Sequence, residues 1–448
     1  MTYTGKSIAV LGAGESGQSA ARLLRRLGAE VTVHDGASAD QLDAVCSALA
    51  VDGIRLLAGP EAGSPGETCD MAVLSPGIDP AVELVQGFVR RGIPLLGELE
   101  LAVRECCCPV VAITGTNGKT TTTQLVERMF TECGVRTVAA GNIGPAFSGR
   151  VGESGKLDVM TLEVSSFQLE AVETFRPRIA VWLGFAADHL DRYATMEEYF
   201  AAKLRVFERQ TEEDWAVVNL RTALPALKAR TLRFSAYEAG GDFELRDGCI
   251  HFRGEPLLRM ADTQLRGLHN VENLMAALGV AAAWGLDLGA AARSLCDYRA
   301  LPHRCEPVRT VDGVEWVNDS KGTNPDSVEK ALLSETRRVV LIAGGKDKGF
   351  EYDALTDLVA ERCRAAVVLG EMAGRIEALW GARLPCHNAG RSLERAVTLA
   401  QSSALPGDVV LFSPGTSSFD MFKNYADRGN QFRALVQALP TLHPLHTS

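Results

Sequence analysis

Short apolar runs alternate along this chain with stretches in which apolar positions recur every three or four residues, the signature of strands alternating with helices. SIAVL (7–11), EVTVHD (30–35), MAVLSPG (71–77) and IPLLG (93–97) read as strands, with a helical stretch ending near Leu27 between the first two. GELELAVREC (97–106) reads as a short helix leading into new material at PVVAITGT. A second series follows at VVAIT (110–114), DVMTLEV (158–164), IAVWLGF (179–185) and WAVVNL (215–220). Its long helices are expected around residues 119–133, 196–209 and 270–285. Residues 231–258 alternate apolar and polar positions between turn residues, which predicts a small β excursion. LPHRCEPV (301–308), with two prolines, reads as a linker. A third series then runs through VEWVNDS, RRVVLIAGG, AAVVLG and DVVLFSP, and ends in an amphipathic helix near 429–438. The expected fold class is α/β with three parallel-sheet domains. The N-terminal and C-terminal ones (1–97 and 302–448) are Rossmann-like, and the central one (98–301) is of the P-loop ATPase type.

Composition narrows the function. The 448 residues are 46% hydrophobic, enough for several cores, and the formal net charge of −10 argues against a nucleic-acid footprint. No apolar run has the length of a membrane helix and the N-terminus has no signal-peptide shape, so a cytoplasmic location without a membrane partner is expected. Eleven cysteines, three of them consecutive at 106–108 and none in a CxxC pair, read as buried or unreactive thiols.

Chemistry concentrates after strands. GTNGKTTT (115–122) follows an apolar strand and precedes a helix, the context of a phosphate loop, although the usual glycine five positions before Gly118 is Ile113. Lys119 would reach the outer phosphates and the Thr120 hydroxyl would suit Mg²⁺. GAGESG (12–17) satisfies G-x-G-x-x-G after a strand, with Asp35 ending the next strand. Such a loop serves the diphosphate of UDP as well as that of NAD. Downstream, Glu163 is either a metal ligand or a solvated strand-end carboxylate, and His189 is either functional or structural. Lys203 by itself reads as a solvated surface lysine. HNVEN (269–273) suits an adenine edge or a helix cap. Asp319, Ser320 and Lys321, with Lys346 and Lys348, form loops at strand ends where an anionic substrate would bind.

Read in order, GTNGKTT, EVSSFQL, DHLDRY, AAKLR, HNxxN, LPHRCE, NDSKGTN and FKNYADRG resemble the Mur ligase family, the ATP-dependent amide ligases of peptidoglycan synthesis. GAGESG with SPG (75–77), GELE (97–100) and GNIG (141–144) looks most like the branch that adds D-glutamate to UDP-N-acetylmuramoyl-L-alanine. The resemblance implies UDP at the first loop and ATP at the second. It implies that Glu15, Ser16, Asp35, Ser75, Gly77 and Asn142 line the UDP-sugar path. Gly115, Thr116, Asn117, Gly118, Lys119, Thr120 and Thr121 would hold ATP, with Asn270, Asn273, Arg304, Asp319 and Lys321 closing around it. Thr120, Glu163, His189 and a CO₂-derived carbamate on Lys203 would form the Mg²⁺ region, and Lys119, His189 and Lys203 would be catalytic. Thr323, Lys348, Ser418 and Tyr425 would receive D-glutamate, in a monomer. Tyr425 replaces a phenylalanine of familiar relatives, Gly36-Ala37 replaces a hydroxyl and an arginine, and 220–222 read LRT where relatives often carry acids. Other readings are a nucleotide-sensing module without ligase activity, a family member with a different acceptor, and a nicotinamide oxidoreductase resting only on GAGESG.

Overall fold

A computed structural model describes residues 2–63, 69–189, 192–299 and 301–440. It resolves into three sheets, parallel for the most part. The N-terminal sheet has the spatial order Arg55–Ala58, Glu30–Asp35, Ser7–Leu11, Met71–Leu74, Leu95–Gly97, all parallel. Chain order reverses at the central Ser7–Leu11 strand. The glycine loop leaves this strand at the crevice where open α/β sheets bind ligands.

The central sheet has nine strands. Its functional middle is Ile179–Trp182, Val110–Thr114, Val159–Glu163 and the edge strand Thr137–Gly141, in that order and parallel. The expected β excursion forms as Arg230–Ser235, Phe243–Arg246, Cys249–Phe252 and Glu255–Arg259, and extends this same sheet beyond Trp215–Asn219. Helices Lys119–Glu132 and Leu268–Trp284 cover one face, and their buried Leu125, Met129, Phe130, Leu274 and Leu278 meet Val111, Ile113 and Val181 of the strands. On the other face the core is continuous with the N-terminal sheet through Leu99, Leu101 and Ala102 of helix Glu98–Glu105.

The C-terminal sheet runs Glu306–Val311, Val314–Asn318, Val409–Phe412, Val339–Gly344, Cys363–Leu369, Cys386–Asn388. Only its first pairing is antiparallel. The expected linker is shorter than the sequence suggests. Glu306, Pro307 and Val308 already belong to the antiparallel edge strand, a position where proline is tolerated because its missing N–H can face outward. The closing helix begins at Tyr425, four residues before the expected start, capped by the Asn424 side chain accepting from the Asp427 amide at 2.9 Å. Among the described residues no helix is long and apolar enough to cross a membrane. The cysteines are free, but Cys46 and Cys107 are exposed, so burial does not hold for all of them.

Candidate active site

The strand Val110–Thr114 delivers its chain into a tight loop and then directly into helix Lys119–Glu132. Two glycines make that turn possible. Gly118 sits at φ 84°, and a Cβ there would lie 2.4 Å from Asn273 Oδ1; Gly115 sits at φ 144°, with a Cβ 2.9 Å from that of Leu183. Lys119 folds back over the loop, donating to the carbonyls of Gly115 at 3.0 Å and Thr116 at 2.8 Å. Lys203 reaches the same Gly115 carbonyl at 3.0 Å from helix Met196–Leu204.

Lys203 is only 1% exposed, which overturns the surface-lysine expectation. Burial, followed by the neighbouring Lys119, holds its amine well below the usual lysine range, and Glu163 and Asp188 only partly oppose this. Burial also lowers Lys119. Glu163 is not a solvated carboxylate either. It is buried at the end of strand Val159–Glu163, and one oxygen accepts from Asn142 Nδ2 at 2.7 Å. The other oxygen is buried and has no hydrogen-bond partner among the described residues.

His189 sits at φ 56°, with its ring 4.7 Å from Phe167 and 5.7 Å from Tyr199. Burial first, then nearby lysines, push its imidazole down to about 4, so it is neutral at physiological pH. Leu190 and Asp191, the middle of DHLDRY, lie outside the described residues.

The C-terminal sheet closes over this loop. Asn117 Nδ2 donates to Asn324 Oδ1 at 3.2 Å and to Asp326 Oδ2 at 2.5 Å, and its Oδ1 accepts from Ser327 Oγ at 3.2 Å. Lys321 Nζ donates to Thr120 Oγ1 at 3.3 Å, and its ammonium lies 5.2 Å from the Tyr425 ring centre. Burial lowers Lys321 to about 7. Asp319 is buried under bonds from Cys305 N and Ser413 Oγ, and burial raises it to about 6. A cleft lies between the two sheets, lined by Gly118, Thr121, Asn270, Asn273, Arg304 and Lys321 among others. The Arg304 Nε is buried and has no partner among the described residues. Asn270 and Asn273 are linked at 3.1 Å, and Thr122 Oγ1 donates to Asn273 at 3.2 Å.

Three of the residues expected on the acceptor side occupy loops of the C-terminal sheet, and Tyr425 opens its closing helix. Thr323 follows Val314–Asn318, Lys348 follows Val339–Gly344, and Ser418 follows Val409–Phe412. Lys348 Nζ bonds Asp188 at 3.4 Å, and Asp188 also accepts from Asn324 at 3.2 Å. Asp188 and Asn324 join the central and C-terminal sheets, yet sequence reasoning assigned neither a role. Their place inside DHLDRY and NDSKGTN was the available signal.

The first glycine loop is built differently. Gly17 opens close helix–strand packing, since a Cβ there would fall 1.8 Å from the Gly12 carbonyl. Asp35 spends one oxygen on the Ala13 amide at 2.7 Å and the other on the Ala37 amide at 2.9 Å, so it braces the loop. Glu15 and Ser16 open helix Glu15–Arg26. The Ser75 hydroxyl is buried with no partner among the described residues, and Gly77 and Asn142 are exposed.

The Mg²⁺ expectation fits this donor set. Oxygen ligands suit that ion; Glu163 has a buried oxygen to spare, and the Thr120 hydroxyl sits in the first turn of the helix that follows the loop. Among the described residues no group of three or more His, Cys, Asp or Glu forms a ready cage. Thr120 and Glu163 would therefore hold it together with oxygens of water and nucleotide.

Two glycine loops on separate parallel sheets, with a third sheet closing on the second loop, define a phosphate-handling α/β protein of the ligase type. The chain belongs to the Mur ligase family. Residues 113–281 match the Mur ligase middle domain and residues 303–415 the Mur ligase glutamate ligase domain. Among its relatives, the UDP-N-acetylmuramoylalanine–D-glutamate ligases of Geotalea uraniireducens and Syntrophotalea carbinolica are 44% and 43% identical. Each alignment covers 98% of this chain and 99% or 98% of the relative. UDP-N-acetylmuramate-alanine ligase from Thermotoga maritima has the same fold at 17% identity, with a TM-score of 0.62 over 97% of this chain and 99% of that one. So does a MurF ligase from Thermotoga maritima solved in complex with ADP, at 18% identity and TM-score 0.57, covering 83% of this chain and 90% of that one.

Proposed function

We propose that this chain is an ATP-dependent ligase that joins D-glutamate to UDP-N-acetylmuramoyl-L-alanine in peptidoglycan precursor synthesis. The observation that carries it is the division between two glycine loops: a braced one on the N-terminal sheet and a lysine-crowded one clasped by the C-terminal sheet. The name shared by full-length relatives supports the choice of acceptor. In this reading residues 1–97 hold the UDP-sugar, 98–301 hold ATP, and 302–448 bring D-glutamate.

The chemistry follows from charge. An oxygen of the alanyl carboxylate attacks the γ-phosphorus, the bond to the β,γ-bridging oxygen breaks, and ADP leaves with that electron pair. The D-glutamate amine, having lost a proton, attacks the resulting acyl phosphate. The tetrahedral intermediate then collapses to amide and inorganic phosphate. The obstacle is repulsion between a carboxylate and a polyphosphate. Arg304 and Lys321, which line the cleft, and Lys119 folded over the phosphate loop supply positive charge that offsets it. Bound Mg²⁺ supplies further charge neutralisation at the phosphates.

Lys203 enters as a carbamate in this reading. Its buried amine sheds its proton readily, and the neutral nitrogen adds to CO₂ with release of one proton. This replaces a strained cation beside Lys119 with an anion. Neutral His189 orients groups in the same region, and the Asp188 bonds to Asn324 and Lys348 help shut out water. The test is ADP release with UDP-N-acetylmuramoyl-L-alanine and ATP against a panel of D- and L-amino acids. Turnover is expected with D-glutamate, and equal turnover with L-alanine or L-lysine would refute the assignment.

A further inference from the structure

Arg428 is among the largest fully buried side chains of the molecule, at 1% exposure. It lies in the first turn of helix Tyr425–Ala438, where the helix dipole disfavours a cation. All three of its bonds go to uncharged oxygens: Nε to Ser320 Oγ at 3.0 Å, Nη2 to Ser320 O at 2.8 Å, and Nη1 to Thr416 O at 3.1 Å. Asp420 and Asp319 offset the charge only at longer range. Burying a guanidinium this way is unfavourable, so stability alone does not explain the arrangement.

The loops it grips do explain it. Ser320 lies in the loop that carries Lys321 and Thr323, and Thr416 in the loop that carries Ser418. The Thr416 hydroxyl donates to the Lys346 carbonyl, and the Lys346 amide donates to the Ser417 carbonyl at 3.0 Å. The loop bearing Lys348 is therefore tied to the same centre. Ser320 Oγ donates in turn to the Tyr425 carbonyl at 2.8 Å, fixing the start of the helix. The planar fork of one guanidinium thus reads two loops directly and a third through Thr416, a task a point charge cannot do.

We propose that Arg428 is a positioning residue for the acceptor site, holding the loops of Thr323, Lys348 and Ser418 in register for the amine that attacks. The inference rests on the assignment of those loops to D-glutamate. Arg428 bonds neither the phosphate loop nor the cleft-lining Asn270, Asn273 and Arg304; only the Ser320 loop, through Lys321, also borders the nucleotide cleft, so loss of Arg428 acts chiefly on the acceptor side.

Arg428→Lys and Arg428→Ala are compared with the unaltered full-length enzyme by steady-state kinetics and thermal unfolding. Removing hydrogen bonds from a charged donor predicts a KM for D-glutamate raised about tenfold or more in both variants, while the KM for ATP rises clearly less because one of the three loops also borders the nucleotide. Methylguanidine should lower the raised KM in Arg428→Ala, since the cavity admits the missing fork, and leave Arg428→Lys unaffected. If Arg428→Ala does not fold, the KM pair of Arg428→Lys decides. Parallel rises in both KM values, or an unchanged KM for D-glutamate, overturn the positioning role. If the unaltered enzyme releases no ADP with D-glutamate, the acceptor assignment itself falls and takes this role with it.

Discussion

Lys119 and Lys203 share one acceptor: both ammonium nitrogens lie 3.0 Å from the carbonyl oxygen of Gly115. Two cations on one oxygen repel, and burial removes the water that would screen them. The arrangement is relieved when the deeper group, Lys203, loses its proton.

Lys203→Ala should therefore abolish ligation, and Lys203→Arg should not restore it, because a guanidinium keeps its charge and does not take up CO₂. Mass spectrometry under native conditions with bicarbonate, and a map of the metal-bound enzyme, check the modification. An unmodified amine in that map, or full activity of Lys203→Arg, would exclude it.

Asp188 collects Asn324 and Lys348 from the opposite sheet. Asp188→Ala should lower kcat/KM for D-glutamate by about ten- to a hundredfold, the usual range for losing charged hydrogen bonds. Small-angle scattering should show a larger radius for the variant as the C-terminal sheet comes away. Unchanged scattering and kinetics would show that this contact does not hold the closed form.

Gly118 has a left-handed backbone and no room for a methyl group beside Asn273. Gly118→Ala should destabilise the protein by about 1–2 kcal/mol and weaken ATP binding, read by urea unfolding and calorimetry. The UDP-sugar should still bind. Gly17→Ala should give the converse, because its methyl would collide with the Gly12 carbonyl in the other loop.

The same calorimetry on the intact enzyme separates the two loops by ligand. UDP-N-acetylmuramoyl-L-alanine should bind in the absence of ATP, and NADH should give no comparable heat. Tight NADH binding without response to the UDP-sugar would return GAGESG to a nicotinamide role.

His189 and His269 both titrate near 4 in the folded protein, in each case mainly because burial disfavours the imidazolium. The unfolded chain takes up these protons near 6.5, before the folded chain does, so protons favour unfolding across that interval. Stability should be fully present above about 6.5 and fall as pH drops from there towards 4. Urea midpoints across that range measure the slope, and His269→Gln should make it shallower.

Much of this protein is written in short stretches. Apolar runs ending in glycine and followed by helix-forming residues determine both phosphate loops, because strand, turn and helix start are set by neighbours a few positions apart. The long interior strands were legible for the same reason, since both faces are buried and the runs are continuously apolar. Arg55–Ala58 and Thr137–Gly141 were not anticipated: they are short, half-buried edge strands whose pairing partners, not their composition, make them strands. Tertiary structure alone decided the chemistry of several groups. Lys203 by itself looks like a solvated surface group in sequence and Glu163 is open between metal ligand and solvated carboxylate, and both become buried because helix Met196–Leu204 and strand Val159–Glu163 carry them inside. Asp188 meets Lys348 across 160 positions, and Arg428 meets Ser320 across 108. Local propensity carries no record of such separations; burial and hydrogen bonding assign those side chains their roles only once the sheets have closed on one another.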